Sequence, residues 1–390
     1  MRARRRAQHP LRIAYLGHVA RLSGGEIALA ELLSSLRGSV EPLVVLGEDG
    51  PLVERLRQLE VETIVLPLDP ELRDTRREDM ARSLRRGQST ATMTRYVGRL
   101  ARLLAGRRVD LIHTNTLKAA LYGGLAGRCL RLPVIWHMRD RFAPDYLPPA
   151  ALALARLGAH LLPTAVIATS KSTWETLPPL ARRRLVAHAI VRESVQIPPE
   201  PWFPRQELVV GMVGRLAPWK GQDIFLKAFA AAFRGTAVRA RIVGNAMFGE
   251  DEYAHGLRAL AERLGVAGQV EFTGFRTDVW TELREFGMLV HCSAVPEPLG
   301  KVVLEGMAAG LPVITQSEGG PAEIITHGVN GLLVPVGDVS ALAAAMHRLA
   351  KDQRLCLTLG AAARARAADF SARAAADAVL RLYRQVLTPG

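Results

Sequence analysis

Arg215 and Lys220 stand five residues apart in VGRLAPWKG, directly after an apolar run that reads as a strand. Gly214 at the end of that run lets backbone approach a ligand, and the two cations straddle the turn that follows. A diphosphate suits such a pair, because each charge-assisted hydrogen bond contributes roughly 1.5–3 kcal/mol. The stretch from His291 to Glu323 holds complementary chemistry: Glu297 and Glu305 lie eight residues apart, with a Gly-containing loop between them and a Gly-Gly turn beyond. A carboxylate offers two acceptor oxygens and can hold a pair of vicinal hydroxyls. With the second acid on a helix, the two are too far apart to work as a close acid–base pair. His113 and His137 each close an apolar run. A lone histidine in that place is as a rule a satisfied structural group, but His137 is followed by Arg139, Asp140 and Arg141, which makes it a candidate for chemistry.

Loops at the C-terminal ends of parallel strands are where open α/β sheets bind ligands, so these residues need strands ahead of them. MLVHCS at 288–293 and LPVITQ at 311–316 read as short buried strands. Between them KVVLEGMAAG puts Val302, Val303, Met307 and Ala308 on one helical face, closed by Gly310. The first half uses the same grammar. LRIAYLG at 11–17 leads into HVARLSGG and a helix closed by Gly38, with Glu26 in its first turn, where the helix dipole favours an acid. Neither GxGxxG nor the P-loop pattern is present. A strand at 43–46, a helix at 51–59 and a strand at 63–67 follow, then DLIHTNT, LPVIWHMRD and AVIATS, the last ending in Ser170, which opens a helix. Such alternation predicts a doubly wound parallel sheet. IPPEPWFPR, with prolines at 198, 199, 201 and 204, can be neither helix nor central strand and marks a domain boundary. The pattern then restarts with LVVGMVGR, ARIVGNAM and VEFTGF, and ends in an Ala-rich helix from Val339 to about Ala350 and a last amphipathic helix with Ala378, Leu382 and Val386 in register. The expected organisation is a first domain over 1–198, a linker at 199–206, a second domain over 207–370 and a C-terminal helix at 371–390 packing back towards the first.

Composition bounds the rest. A chain of 390 residues with 49% hydrophobic and 23% charged residues is globular and long enough for about two cores. No apolar run approaches the roughly 18–20 residues that span a bilayer. The basic start, MRARRRAQHP, lacks the apolar segment and cleavage site of a secretory signal. Cys129, Cys292 and Cys356 lack metal-ligand spacing, so a reduced, cytoplasmic protein is expected. Of the 51 cationic residues 45 are Arg, and the excess lies in residues 1–200, net +12, against +2 for the remainder. That field favours an anionic partner, with an Arg-rich solvated surface as the other reading. Residues 71–108 alone hold 11 Arg. Their second half places Met93, Tyr96, Val97, Leu100, Leu103 and Leu104 on one helical face, leaving a cationic face for solvent, acidic lipid or an anionic substrate. The apolar helix at 150–162 is a second candidate for membrane or acceptor contact. Tyr96 is the lone aromatic in the arginine-rich run, so stacking readout of nucleic acid is poorly supported and no nucleic-acid partner is expected.

Taken in order, SGGE at 23–26, VIWH at 134–137, GRLAPWKG at 214–221, VEFTGF at 270–275, EPLGKVVLE at 297–305, GGPAEII at 319–325 and NGLLVPVGD at 330–338 resemble the retaining nucleotide-sugar glycosyltransferases of family 4 over nearly the whole chain. The resemblance implies an α/β GT-B fold, two Rossmann-like doubly wound parallel-sheet domains facing across a cleft. It also implies residue roles. Arg215 and Lys220 match the residues that bind the donor diphosphate, Glu297 the one that contacts the transferred sugar, and Glu305 the one on the ribose. The amides at Leu299, Gly300 and Lys301 would face sugar and phosphate, the Gly24–Gly25 loop would approach them from the other domain, and His137 would lie near the transferred sugar. Gly214, Gly244, Gly274 and Phe275 complete the implied donor site, with His137, Glu297, Arg215 and Lys220 as its catalytic set. Asn115, Lys118, Arg139 and Asp140 are the expected acceptor side. Leu299 and Trp219 depart from the family's frequent Phe and polar residue at those positions.

The metal-holding Asp-x-Asp is absent, so Arg215, Lys220 and helix N-termini would stabilise the leaving diphosphate, with no metal and no cofactor. The implied reaction moves a hexose or N-acetylhexosamine, from a UDP-sugar in preference to GDP-mannose, to an acceptor hydroxyl in cell-envelope polysaccharide or glycolipid synthesis. The basic first half motivates an anionic or lipid-linked acceptor and peripheral contact with the inner face of the membrane; a soluble specialised metabolite is the alternative acceptor. An anionic-surface or nucleic-acid binder is the rival of another class. No signature of a GT-B epimerase or phosphorylase is seen.

Overall fold

In the computed structural model, residues 10–74, 88–200, 207–247 and 249–388 are described. They divide into two compact units, Met1–Ser194 joined by Ala372–Gly390, and Val195–Ser371. The basic start, the arginines between 75 and 87, and Pro201 and Pro204 of the proline-rich stretch lie outside the described residues.

The first unit alternates strand and helix: β1 (Leu11–Gly17), α1 (Gly24–Ser35), β2 (Val40–Leu46), α2 (Pro51–Gln58), β3 (Glu62–Val65), α3 (Pro70–Asp74), α4 (Gln88–Gly106), β4 (Leu111–Thr114), α5 (Leu117–Leu130), β5 (Val134–Met138), α6 (Pro149–Leu161), β6 (Ala165–Ala168), α7 (Lys171–Glu175), α8 (Pro179–Arg184) and β7 (Ala187–Ile190). The strands form one sheet in the order β3-β2-β1-β4-β5-β6-β7, every pair parallel. Helices cover both faces, which is why strands such as LRIAYLG are apolar on successive residues rather than on alternate ones. Ile13 and Tyr15 point into one core with Leu29 and Leu33 of α1, while Ala14 and Leu16 point into the other with Leu100 of α4 and Tyr122 of α5.

The second unit repeats the plan with β8 (Val209–Val213), α9 (Gln222–Phe233), β9 (Arg239–Val243), α10 (Asp251–Arg263), β10 (Val270–Gly274), α11 (Val279–Glu285), β11 (Met288–His291), α12 (Lys301–Ala309), β12 (Val313–Gln316), α13 (Pro321–Ile324), β13 (Leu332–Val334), α14 (Val339–Lys351) and α15 (Gln353–Ala367). Its parallel sheet runs β10-β9-β8-β11-β12-β13. In each sheet the strand order reverses once, between β1 and β4 and between β8 and β11. Crevices form at such switch points, beyond the carboxyl ends of the strands. The Gly24–Gly25 loop follows β1, Asn115 follows β4, Arg215 follows β8 and Glu297 follows β11.

The last helix, α16 (Ala372–Leu387), packs on α1 and β7 of the first unit. Its buried face differs from the expected one. Ala376, Val379, Leu380, Leu382 and Tyr383 are buried, whereas Ala378 and Val386 are half-buried. Apolar spacing alone does not weigh Tyr383, which is fully buried because its hydroxyl finds polar partners inside the unit. The helix at 88–106 does bury Tyr96, Val97, Leu100 and Leu104, with Met93 and Leu103 half-buried.

Candidate functional site

The ends of β8, β9 and β10 bring three glycines together. Gly214 donates its N–H to the Val243 carbonyl at 2.9 Å, Gly244 to the Gly274 carbonyl at 2.9 Å, and Leu216 to that of Asn245 at 3.0 Å. Gly244 has φ +140°, and a methyl there would sit 2.0 Å from the Gly214 carbonyl oxygen, so only glycine lets the two loops lie this close. Phe275, next in the chain, is half exposed.

Arg215 and Lys220 flank the indole of Trp219. The guanidinium carbon lies 5.5 Å and Lys220 Nζ 4.5 Å from the ring centre. Arg215 also pairs with Glu250 at 3.1 Å. Lys220 Nζ donates to both carboxylate oxygens of Glu297, at 2.8 and 2.9 Å. Two more groups converge on that carboxylate: His291 Nε2 at 3.0 Å and the Ser293 hydroxyl, which donates to Oε1. Glu297 is only 4% exposed. Burial by itself would raise its pKa, but Lys220 and then His291 outweigh burial and hold the carboxyl well below its ordinary range.

The loop after Glu297 is pressed from behind by the Gly-Gly turn. Gly320 donates its N–H to the Glu297 carbonyl at 2.8 Å, and a methyl on Gly320 would fall 2.2 Å from the Pro298 carbonyl oxygen. Leu299 is buried in the core. Gly300 precedes the first residue of α12, Lys301, and among the described residues no side chain caps that helix end. A helix start of this kind suits an anion or a hydroxyl, because the helix dipole is positive there. Glu305 lies one turn further along the helix and is half-buried.

The first unit holds the remaining expected residues. Gly24 and Gly25 begin α1, where the Ser23 hydroxyl donates to the Glu26 carboxylate. Glu26 is buried, and burial raises its pKa in spite of Ser23 and Arg139. Asn115 Nδ2 donates to the Gly25 carbonyl at 3.0 Å, Arg139 Nε donates to Asn115 Oδ1 at 2.9 Å, and Arg139 Nη1 pairs with Glu193 at 2.5 Å. With Asn115 only 1% exposed, these residues hold the glycine loop in place. Lys118 donates to the Arg73 carbonyl at 2.6 Å, and Asp140 accepts from the Tyr146 hydroxyl at 3.4 Å.

His137 ends a buried polar chain. Its Nδ1 lies 3.1 Å from His113 Nε2, His113 Nδ1 lies 2.6 Å from the Tyr383 hydroxyl, and that hydroxyl is 3.1 Å from the Tyr15 hydroxyl. Burial, then Arg139, push His113 down to about 3 and hold His137 well below its ordinary pKa, so both rings are neutral at pH 7. Among the described residues His137 Nε2 has no hydrogen-bond partner, and the ring lines a pocket with Leu32, Arg139 and Glu193. Sequence reasoning missed His291, Ser293, Tyr15 and Tyr383. His291 and Ser293 stand within the stretch that carries Glu297, so proximity was their signal; nothing local marks Tyr383.

Two family models match: Glycosyl transferase 4-like domain over residues 23–179 and Glycosyl transferases group 1 over residues 196–366. The chain belongs to the GT-B glycosyltransferases of the family 4 type. Over 96% of its length it superposes on Anabaena HepE in complex with UDP and glucose, with a TM-score of 0.82, 28% identity and 99% of that chain covered. It is 35% identical over 195 residues, 47% of this chain, to the D-inositol 3-phosphate glycosyltransferase of Segniliparus rotundus. It is 36% identical over 165 residues, 39% of this chain, to a GDP-mannose-dependent phosphatidylinositol monomannoside mannosyltransferase of Mycobacterium tuberculosis. The matches span 41% and 40% of those curated relatives, under half of their length. Among the described residues, no helix of this glycosyltransferase is long and apolar enough to cross a membrane.

Proposed function

We propose that this glycosyltransferase moves a hexose or N-acetylhexosamine from a UDP-sugar to an acceptor hydroxyl with retention at the anomeric carbon. The observation that carries the reading is the cluster of Arg215, Lys220 and Glu297 at the ends of β8 and β11. A diphosphate beside Gly214 and Arg215 competes with Glu297 for Lys220. When Lys220 turns to the phosphate, Glu297 keeps His291 and Ser293 and gains free lone pairs for sugar hydroxyls. The bond from the anomeric carbon to the phosphate oxygen breaks, its electron pair leaves with the diphosphate, and the acceptor oxygen forms its bond on the same face. The acceptor proton passes to the departing phosphate. Arg215, Lys220 and the leading amides of α12 stabilise the developing charge, a task that in this reading needs no metal. UDP is favoured because the HepE complexes hold UDP and UDP-glucose. A cell-envelope glycan or glycolipid acceptor is supported by the basic first half and by relatives named for lipopolysaccharide core and phosphatidylinositol mannoside synthesis.

A thermal-shift panel of UDP-glucose, UDP-N-acetylglucosamine, GDP-mannose and ADP-glucose, with and without EDTA, tests the donor. A ligand at about 100 times its Kd adds about 2.7 kcal/mol to the native state. A UDP-sugar should raise Tm equally with and without EDTA; no shift with any donor sinks the reading, and a shift abolished by EDTA sinks its metal-free part.

A further inference from the structure

Helices α5, α6 and α8 pack side by side on the outside of the first unit. Their sequences, LKAALYGGLAGRCL, PAALALARLGAHL and PLARRR, contain six basic residues and no aspartate or glutamate, in a chain with 37 acidic residues. Their inner faces are buried and, apart from Tyr122 and Leu152, built of alanine and glycine. Their outer faces expose leucine: Leu125 on α5, Leu157 and Leu161 one turn apart on α6, and Leu180 on α8, with exposures of 42%, 57%, 42% and 66%. The surface is continuous. Arg128 of α5 donates to the Leu161 carbonyl, and Arg184 of α8 lies 3.4 Å from His160 of α6. Arg128, Arg183 and Arg184 are exposed around the leucines.

A single exposed leucine is ordinary. Several on adjoining helices that carry arginines and no carboxylate of their own form an amphipathic surface that suits one class of partner. Leucines gain by entering the boundary between headgroups and acyl chains, and arginines by meeting lipid phosphates. A second copy packed about a twofold axis would set this cationic face against itself. Nucleic acid would satisfy the arginines and leave the leucines in water. We infer that the α5, α6 and α8 face is where the protein rests on a bilayer containing anionic phospholipid. The inference stands on surface residues apart from the donor site, and its test involves no sugar transfer, so either can fail without the other.

Cys129 makes the test direct. It is exposed, it lies one turn beyond Leu125, and the other cysteines, Cys292 and Cys356, are buried. The full chain labelled at Cys129 with a polarity-sensitive fluorophore should shift its emission to the blue on vesicles of phosphatidylcholine with phosphatidylglycerol. It should sediment with them and show neither effect on phosphatidylcholine alone. High salt should weaken binding. Leu157→Ser with Leu180→Ser, and separately Arg183→Glu with Arg184→Glu, should each weaken it at least tenfold while the UDP-sugar thermal shift stays as in the wild type. Exposed positions leave folding intact, and a melting curve verifies it. No binding to anionic vesicles overturns the inference, as does wild-type binding by both variants. A blue shift that grows with protein concentration without vesicles would assign the face to a second copy, and a shift with oligonucleotides but not vesicles to nucleic acid.

Discussion

Glu297 accepts from Lys220 and Ser293 and lies 3.0 Å from His291 Nε2, and the charged pair it forms with Lys220 is nearly sealed from water, with side chains 5% and 17% exposed. Removing one partner of a buried pair leaves the other uncompensated, at a cost of about 3–5 kcal/mol. Glu297→Gln should therefore lower Tm at pH 7 and nearly abolish transfer, and Lys220→Ala should lose transfer in the same way. The pH dependence separates the pair from general damage. A carboxyl held below its unfolded pKa of about 4.3 contributes stability above that pH and loses it as pH falls through the folded value. Because Glu297 is depressed, the Tm gap between wild type and Glu297→Gln should stay constant from pH 8 to 5, begin to narrow below about pH 4 and close only as pH falls through the low folded value. A gap that persists unchanged at pH 3 would show that the charged pair is not what the glutamine removes. The sequence made the acid and the lysine visible as separate charges. Their direct pairing was not legible, because 77 positions of chain separate them and only the adjacency of β8 and β11 brings them together.

Most of the elements were legible, for a physical reason: helices on both faces of a parallel sheet force short, unbroken apolar strands, and these stand out between amphipathic helices. Ends were less so. The strand expected over 288–293 stops at His291, and the one over 63–67 stops at Val65. The Gly-Gly turn was visible as a turn, but its work is contact between loops. A Gly320→Ala methyl would meet backbone, 2.2 Å from the Pro298 oxygen and 2.5 Å from the Leu299 Cα, so the loop that carries Glu297 has to move. Gly256→Ala is the matched control. It lies inside α10 with nothing within 4 Å of the added carbon and should stabilise by about 0.5–1 kcal/mol, since alanine is the better helix former. Melting curves should show loss for the first and gain for the second, with UDP-sugar affinity reduced only by Gly320→Ala. Unchanged affinity in Gly320→Ala would mean that the turn does not position the loop.

At the scale of the whole molecule, the chain leaves the first unit at Ser194, builds the second, and returns with α16 to close the first core. That return puts Tyr383 against Tyr15, 368 positions away, and against His113. No periodicity encodes such a meeting; it exists only once both ends of the chain are folded together. The relay from Tyr15 through Tyr383 and His113 ends at His137, so the hydroxyl of Tyr383 helps decide which ring nitrogen of His137 carries the proton. Tyr383→Phe keeps the ring and its packing but strands buried polar groups, at about 1–3 kcal/mol. Tyr383→Ala empties the site and should cost about 3–5 kcal/mol. If His137 acts in transfer, Tyr383→Phe should lower kcat about tenfold, equivalent to about 1.4 kcal/mol of barrier. KM for the UDP-sugar should stay within about twofold, because a loss confined to the transition state leaves ground-state binding alone. Long-range proton–nitrogen spectra of labelled histidine, assigned with His137→Ala, should show a changed tautomer for His137 in Tyr383→Phe. If the tautomer and kcat both match the wild type while Tm falls, Tyr383 serves only the core of the first unit.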